Sequence, residues 1–320
     1  MKHVLSATML SLAVMGLPAM AQNYPVKPVR FLVGFPPGGT NDIVARVIAP
    51  KLGEALGQQV VVENRGGANA SIAAELAARA VPDGHTIMLV APGHATNPAL
   101  LKLNFDSMRD FAFITQVAES QNLLVTHPSF PPRSVKDLIA FSKKHPPGSI
   151  NYGSSGTGTT VHLSAELFQY MTGVKWLHIP YKGGGPAVID LLAGQHVIYF
   201  GNVPTVITHA RNGRLRALAV TGPKRTPAAP DIPTVAESGV PGYEVTTAYG
   251  VAAPAKTPRP VLDRLHTELI KTLNSPDIRE RLQGLGADPV GNTPEQYTAF
   301  MQNEIAKWGK VIKAAGIKGE

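Results

Sequence analysis

The feature that most restricts the fold of this chain is an alternation of short β-branched runs with amphipathic helical patterns, which starts after Tyr24 and begins anew near Ile150. In the first series the strand candidates are Arg30–Phe35, Gln59–Glu63, Thr86–Val90 and Asn122–Thr126. Asn41–Leu56 sets Ile43, Val44, Val47, Ile48, Leu52 and Leu56 along one helical face, and Gly57 follows as a residue suited to a left-handed stop. The second series offers a strand at Ile150–Tyr152, helices at Thr160–Met171 and Pro186–Ala193, and strands at Val197–Phe200 and Leu215–Thr221. Strands that alternate with helices argue for an α/β fold with largely parallel strands. The reset argues for two such lobes.

The segment Gly222–Pro233 carries Pro223, Pro227, Pro230 and Pro233, so it fits neither a helix nor a central strand. Glu244–Ala253 follows as one long strand, and after it come helices only: Pro260–Leu273, Pro276–Leu285 and Pro294 to about Ala315. The last has Thr293 as cap, Pro294 at its first position and Gln296 at capping-box spacing. Helices without strands cannot form a lobe of the same kind, so they are expected to return and cover the first. This predicts lobe 1 from residues 22–122 and 247–320, lobe 2 from 123–246, and chain crossovers near 119–123 and 244–251 that act as a hinge beside a cleft.

Residues 1–21 predict a secretory signal peptide: a basic start, an apolar stretch from Val4 to Leu17, and small residues ending at Ala21. That stretch falls short of the roughly 20 residues needed to span a bilayer. The expectation is therefore a soluble, exported, monomeric protein. With no cysteine in 320 residues, disulfides, thiolate metal sites and cysteine nucleophiles are excluded. Lys and Arg number 30 against 22 Asp and Glu, but the positive charge is scattered, which speaks against a nucleic-acid partner.

Two loops carry the chemistry. Strand Arg30–Phe35 runs into Pro36-Pro37-Gly38-Gly39-Thr40-Asn41-Asp42 and then a helix; strand Ile150–Tyr152 runs into Gly153-Ser154-Ser155-Gly156-Thr157-Gly158-Thr159-Thr160 and then a helix. Glycines let the backbone approach a ligand, and the free N–H groups of a helix start, at the positive end of its dipole, form an anion site. At the carboxyl edges of parallel strands, both loops would face the cleft. The same residues also fit plain capping by Thr40 and Thr160 with tight turns. His94 and Asn97 either line the cleft as neutral donors or only fix the Ala91–Pro98 loop, and Lys182-Gly183-Gly184-Gly185-Pro186 reads first as a turn into a helix and second as a ligand contact. The nucleophile-elbow, phosphate-loop, dinucleotide and zinc-protease motifs are all absent.

The segments VRFLVGFPPGGTNDIVARVIAPKL, VVVENRGGANASIAAE, NYGSSGTGTTVHLSAELF, HIPYKGGGPAVIDLLAGQ, LRALAVT, PDIPTVAESGVPGYEV and GVAAPAKTP, in this order, resemble the Bug family, the periplasmic solute-binding proteins of tripartite tricarboxylate transporters. The likeness covers Tyr24 to Ile317. It implies a type II periplasmic-binding fold whose lobes close on a small organic acid, without metal or other cofactor, and deliver it to a membrane permease. It also implies contacts from Phe35–Asp42 and Ser154–Thr160. On that basis Phe35 and Tyr249 are assigned to the cleft wall. Gly39, Thr40, Ser155, Gly156, Thr157 and Thr159 are assigned to carboxylate donation, with Gly38, Asn41, Ser154 and Gly158 completing the loops. Asn202 and His94 are assigned as polar specifiers with Asn97 nearby, and Asp42 to helix-start stabilisation. Two departures from the family pattern, Gly201 before Asn202 and Ala248 before Tyr249, would enlarge the cleft for a bulkier or more anionic acid if both pointed into it. The alternatives are a secreted serine hydrolase using Ser154 or Ser155 with a histidine, and a ligand sensor working through a signalling partner.

Overall fold

Strand β1 (Val29–Val33) buries Val29, Phe31, Leu32 and Val33 and leads into helix α1 (Thr40–Leu56), which ends at Gly57 with φ 75°. These and the later elements belong to a computed structural model that describes residues 24–315 and 317; the signal peptide expected at residues 1–21 lies outside the described residues. The first half continues with β2 (Val60–Asn64), α2 (Ser71–Ala78), β3 (Thr86–Val90) and α3 (Gly93–Leu100). Strand β4 (Phe111–Thr126) crosses to the second half, which holds α4 (Val135–Lys143), β5 (Asn151–Ser154), α5 (Thr160–Thr172), β6 (Leu177–Pro180), α6 (Gly184–Leu192), β7 (Ile198–Asn202), α7 (Val203–Arg211) and β8 (Arg216–Val220). The chain then returns through β9 (Thr246–Pro254), α8 (Arg259–Asn274), α9 (Pro276–Gly284), β10 (Ala287–Pro289) and α10 (Pro294–Ala315).

The strand order β2-β1-β3-β9-β4-β7-β5-β6, with β8 and β10 also on β4, contains two parallel triplets. In one, β1 pairs in parallel with β2 and β3; in the other, β5 pairs in parallel with β6 and β7. Strand β4 joins them. Its residues Phe111–Gln121 pair antiparallel with β9, whereas Asn122–Thr126 pair antiparallel with β7 and β8. Only the last part of this strand was legible from the sequence, because Gln116, Glu119, Ser120 and Gln121 break its apolar pattern.

Each lobe buries a core on both faces of its sheet. In the first, α8 brings Leu265, Leu269 and Leu273 to Phe31, Val33, Val44 and Ile48, and α10 brings Tyr297, Met301 and Trp308 to Leu32 and Met88. The late helices thus pack on the sheet of the first strands, and β10 stands between α9 and α10, pairing with Ala118–Ser120. In the second lobe Phe168, Trp176 and Phe200 fill one face, and Tyr199, Val206 and Ile207 the other.

At the start of α10 the capping box is complete: Thr293 N–H donates to Gln296 Oε1 at 3.0 Å and Gln296 N–H to Thr293 Oγ1 at 3.2 Å. Thr293→Ala is expected to lower the unfolding free energy by about 1 kcal/mol. Urea denaturation checks this; an unchanged midpoint would show that α10 is held by its apolar face alone.

Candidate functional site

Five helices begin at one chamber between the lobes. Its lining includes Gly39 and Thr40 at the start of α1, Pro92 and Gly93 at α3, Thr159 and Thr160 at α5, Gly184 at α6, and Asn202, the cap of α7. Phe35, Asn41, Asn69, Ser155, Thr247 and Tyr249 complete a cavity of about 30 Å³, and no charged side chain lines it. Of the five starts only that of α5 is capped by a side chain, with Thr159 Oγ1 accepting from His162 N–H at 3.3 Å. Orphan N–H groups and the positive ends of five helix dipoles therefore converge where no cation stands, an arrangement that favours an anion.

Beside the chamber lies a vestibule of about 630 Å³ that shares Phe35, Asn69 and Ser155 with it and adds Asn97, Gly156, Thr157, Tyr181 and Lys182. The lobes meet across this region in a closed arrangement. Thr40 Oγ1 lies 2.7 Å from Thr205 Oγ1 of α7, and Thr96 Oγ1 donates to Gly158 O at 3.0 Å. Below the chamber a buried polar network spans the crossover strands. Asn202 Nδ2 donates to Asn122 Oδ1 at 2.6 Å, Asn122 Nδ2 to Ser164 Oγ at 2.8 Å, and Thr247 Oγ1 to Thr160 Oγ1 at 2.9 Å. Tyr249 is fully buried with its hydroxyl beside Thr40, and burial pushes its pKa up.

Of the residues expected at the cleft, Phe35, Gly39, Thr40, Asn41, Ser155, Thr159, Asn202 and Tyr249 line the chamber, while Asn97, Gly156 and Thr157 line the vestibule. The other four stand elsewhere. His94 lies in lobe 1 between Phe105, Phe111 and Phe113, with Nε2 on Ser107 O at 2.8 Å, and burial lowers its pKa to about 4. Ser154 is fully buried behind its loop, where its hydroxyl meets His178 Nε2 at 2.6 Å and accepts from Gly156 N–H at 3.1 Å. Gly158 commits its N–H to His162 Nδ1 at 3.2 Å, and Gly38 commits its N–H to Asp42 Oδ2 at 3.0 Å. Asp42 also accepts from Arg46 and Asn64, which ties the loop to β2. The helix caps are Gly39 and Thr159 rather than Thr40 and Thr160.

The two departures from the family pattern do not enlarge the chamber. A side chain at Gly201 would overlap Tyr199 and Val206 inside lobe 2, and Ala248, paired with Glu119, is absent from the lining. Sequence reasoning missed Asn69, Gly93 and Thr247 and put ligand contact second for Gly184. The triple glycine before Pro186 was a visible signal for Gly184, whereas Asn69 gave none, because its position depends on backbone geometry described below.

Comparison with known proteins agrees with this geometry. Residues 44–317 match the model of the tripartite tricarboxylate transporter family receptor. Protein BugT of Bordetella pertussis is 36% identical over 307 residues, covering 94% of this chain and 93% of that protein. The solved structure of R. palustris Rpa4515 with adipate is 38% identical with a TM-score of 0.90, covering 93% of this chain and 100% of that one. The periplasmic binding protein BugD is 36% identical with a TM-score of 0.89, covering 93% and 100%. The buried Ser154–His178 pair is accordingly part of a solute-binding scaffold and not of a hydrolase. With its two α/β lobes and a chamber of converging helix starts, the chain belongs to the tripartite tricarboxylate transporter receptor family, a family of solute-binding receptors.

Proposed function

We propose that this receptor captures a small organic acid between its lobes in the periplasm and delivers it to the permease of a tripartite tricarboxylate transporter. The observation that carries this reading is the convergence of five helix starts on a chamber without a charged side chain. Backbone N–H groups hold a carboxylate without a formal positive charge and leave little affinity for a neutral sugar. That a relative was solved with adipate supports the same ligand class. Lobe 1 is taken as residues 22–122 and 247–320 and lobe 2 as 123–246, hinged at 119–123 and 244–251. A ligand touching both lobes shifts the open–closed equilibrium toward the closed form, which the permease can distinguish from the empty receptor.

A thermal-shift screen of residues 22–320 against mono-, di- and tricarboxylates, aromatic acids, amino acids and neutral sugars tests the ligand class. At about 100 times Kd, binding adds about 2.7 kcal/mol, several degrees in Tm. A rise confined to acids is expected. No rise with any acid, in protein free of co-purified ligand by mass spectrometry, would overturn the reading. Delivery is tested by uptake of the identified acid, which should fall in cells lacking the receptor.

A further inference from the structure

Given a carboxylate held at the helix starts, and resting on that reading, we propose that Asn69 makes the cleft selective for acids that carry a hydrogen-bond donor, a hydroxyl or an ammonium group, next to the carboxylate. The amide orientation of Asn69 follows from its neighbours. Asn97 Nδ2 donates to the carbonyls of Asn69 at 3.0 Å and Ala68 at 3.4 Å. A carbonyl only accepts, so the other end of the Asn97 amide is its oxygen, and this accepts from Asn69 Nδ2 at 2.9 Å. Asn69 Nδ2 also reaches Thr96 Oγ1 at 3.2 Å, whose proton goes to Gly158 O. What Asn69 has left is its side-chain oxygen, an acceptor, buried and without a partner.

Asn41 Oδ1 is likewise buried without a partner, and Asn41 lines the same chamber. Such groups are costly unless something satisfies them. A carboxylate accepts from helix N–H groups, but it has nothing to offer the Asn69 oxygen. Only a donor satisfies that atom. Asn69 lines both chamber and vestibule, so the part of a ligand that extends from the first into the second is the part that meets it.

The backbone is built around this placement. Ala68, Asn69 and Ala70 hold φ values of 45°, 50° and 72°, a left-handed run that alanine in particular disfavours. A side chain at Gly93 would overlap Asn69, and one at Gly34 would overlap Ala70. Strain held in place by two close-packed glycines at a cleft is the pattern of a functional turn.

The test is titration calorimetry of the purified chain with matched acids: succinate against malate, and glutarate against 2-hydroxyglutarate and glutamate. One satisfied buried acceptor predicts that the donor-bearing member binds about tenfold tighter. Asn69→Gly, which suits the left-handed backbone, should bring that ratio below about twofold. Acids that bind without preference, with a water serving Asn69, would overturn this selectivity and leave the carboxylate reading standing. A tenfold preference that survives Asn69→Gly would also overturn it, placing the donor contact elsewhere. Absence of binding by every acid would instead remove the reading on which it rests.

Discussion

Gly39→Asp is expected to leave stability within a few tenths of a kcal/mol of the parent while weakening its affinity for any acid by at least about a hundredfold. Gly39 caps α1 with φ −82° and ψ 165°, a conformation open to any residue, and a side chain there would meet nothing nearer than Pro36 O at 3.7 Å. Aspartate is a favoured cap whose carboxylate accepts from the N–H groups of the first turn. Those are the donors proposed to hold the ligand. The new carboxylate would occupy them and repel a second anion: two like charges about 4 Å apart at an effective dielectric of about 20 interact with about 4 kcal/mol. Gly39→Ser supplies the uncharged comparison, with similar capping and a smaller loss of affinity. A folded Gly39→Asp protein that binds acids as well as the parent would show that the start of α1 does not hold the ligand.

Lowering the pH from 7 to 5 is expected to cost several kcal/mol of stability, and the source is buried histidines outside the chamber, His94 and His162 foremost. His196 and His209, whose pKa values burial also lowers, act in the same sense. His94, among its phenylalanines, and His162, whose Nδ1 accepts the Gly158 N–H, both have pKa values lowered by burial to about 4. Once unfolded each returns to an ordinary value near 6.5, so between pH 4 and 6.5 the unfolded chain binds more protons than the folded one. Stability is therefore full above about pH 6.5 and falls as pH drops through the window, by about 2 kcal/mol per histidine at pH 5. Burial pushes the carboxyl pKa values of Glu119 and Asp288 up, and these groups act in the opposite sense. His94→Gln preserves a donor for the Ser107 carbonyl but does not titrate, and should remove about 2 kcal/mol of the histidine contribution. Urea unfolding at the two pH values measures the effect. Equal free energies at pH 7 and 5, or an undiminished drop in His94→Gln, would contradict it. Protonation of His162 also removes the acceptor for Gly158, so acid should loosen the α5 loop before the chain unfolds.

The elements that were legible in the sequence are those whose signals are local. The apolar stripe from Val44 to Leu56 and the Thr293–Gln296 box each lie within a few turns of one helix, and the glycine-rich loops announce themselves by composition. What was not legible depends on residues far apart in the chain. His94 looked like a cleft donor because Phe105, Phe111 and Phe113, which enclose it, have no pattern linking them to it. The starts of α3, α6 and α7 reach the chamber only through the order of the strands, and two loops announced what five helices build. Asn69 is the extreme case: its role follows from a left-handed turn, a glycine on another helix and an amide orientation set by Asn97.

The way α8 and α10 close the first lobe also bears on the order in which the chain can fold. Phe31, Val33 and Ile48 share their core with Leu265 and Leu269, and β4 pairs with β9 from far along the sequence. As synthesis proceeds from the N-terminus, the opening third of the chain has no partner for its apolar face until nearly the whole polypeptide exists. The second lobe, contiguous between its two crossings, can form earlier. Contacts of such long range make folding slow. The segment made first is thus the one least able to complete its core on its own.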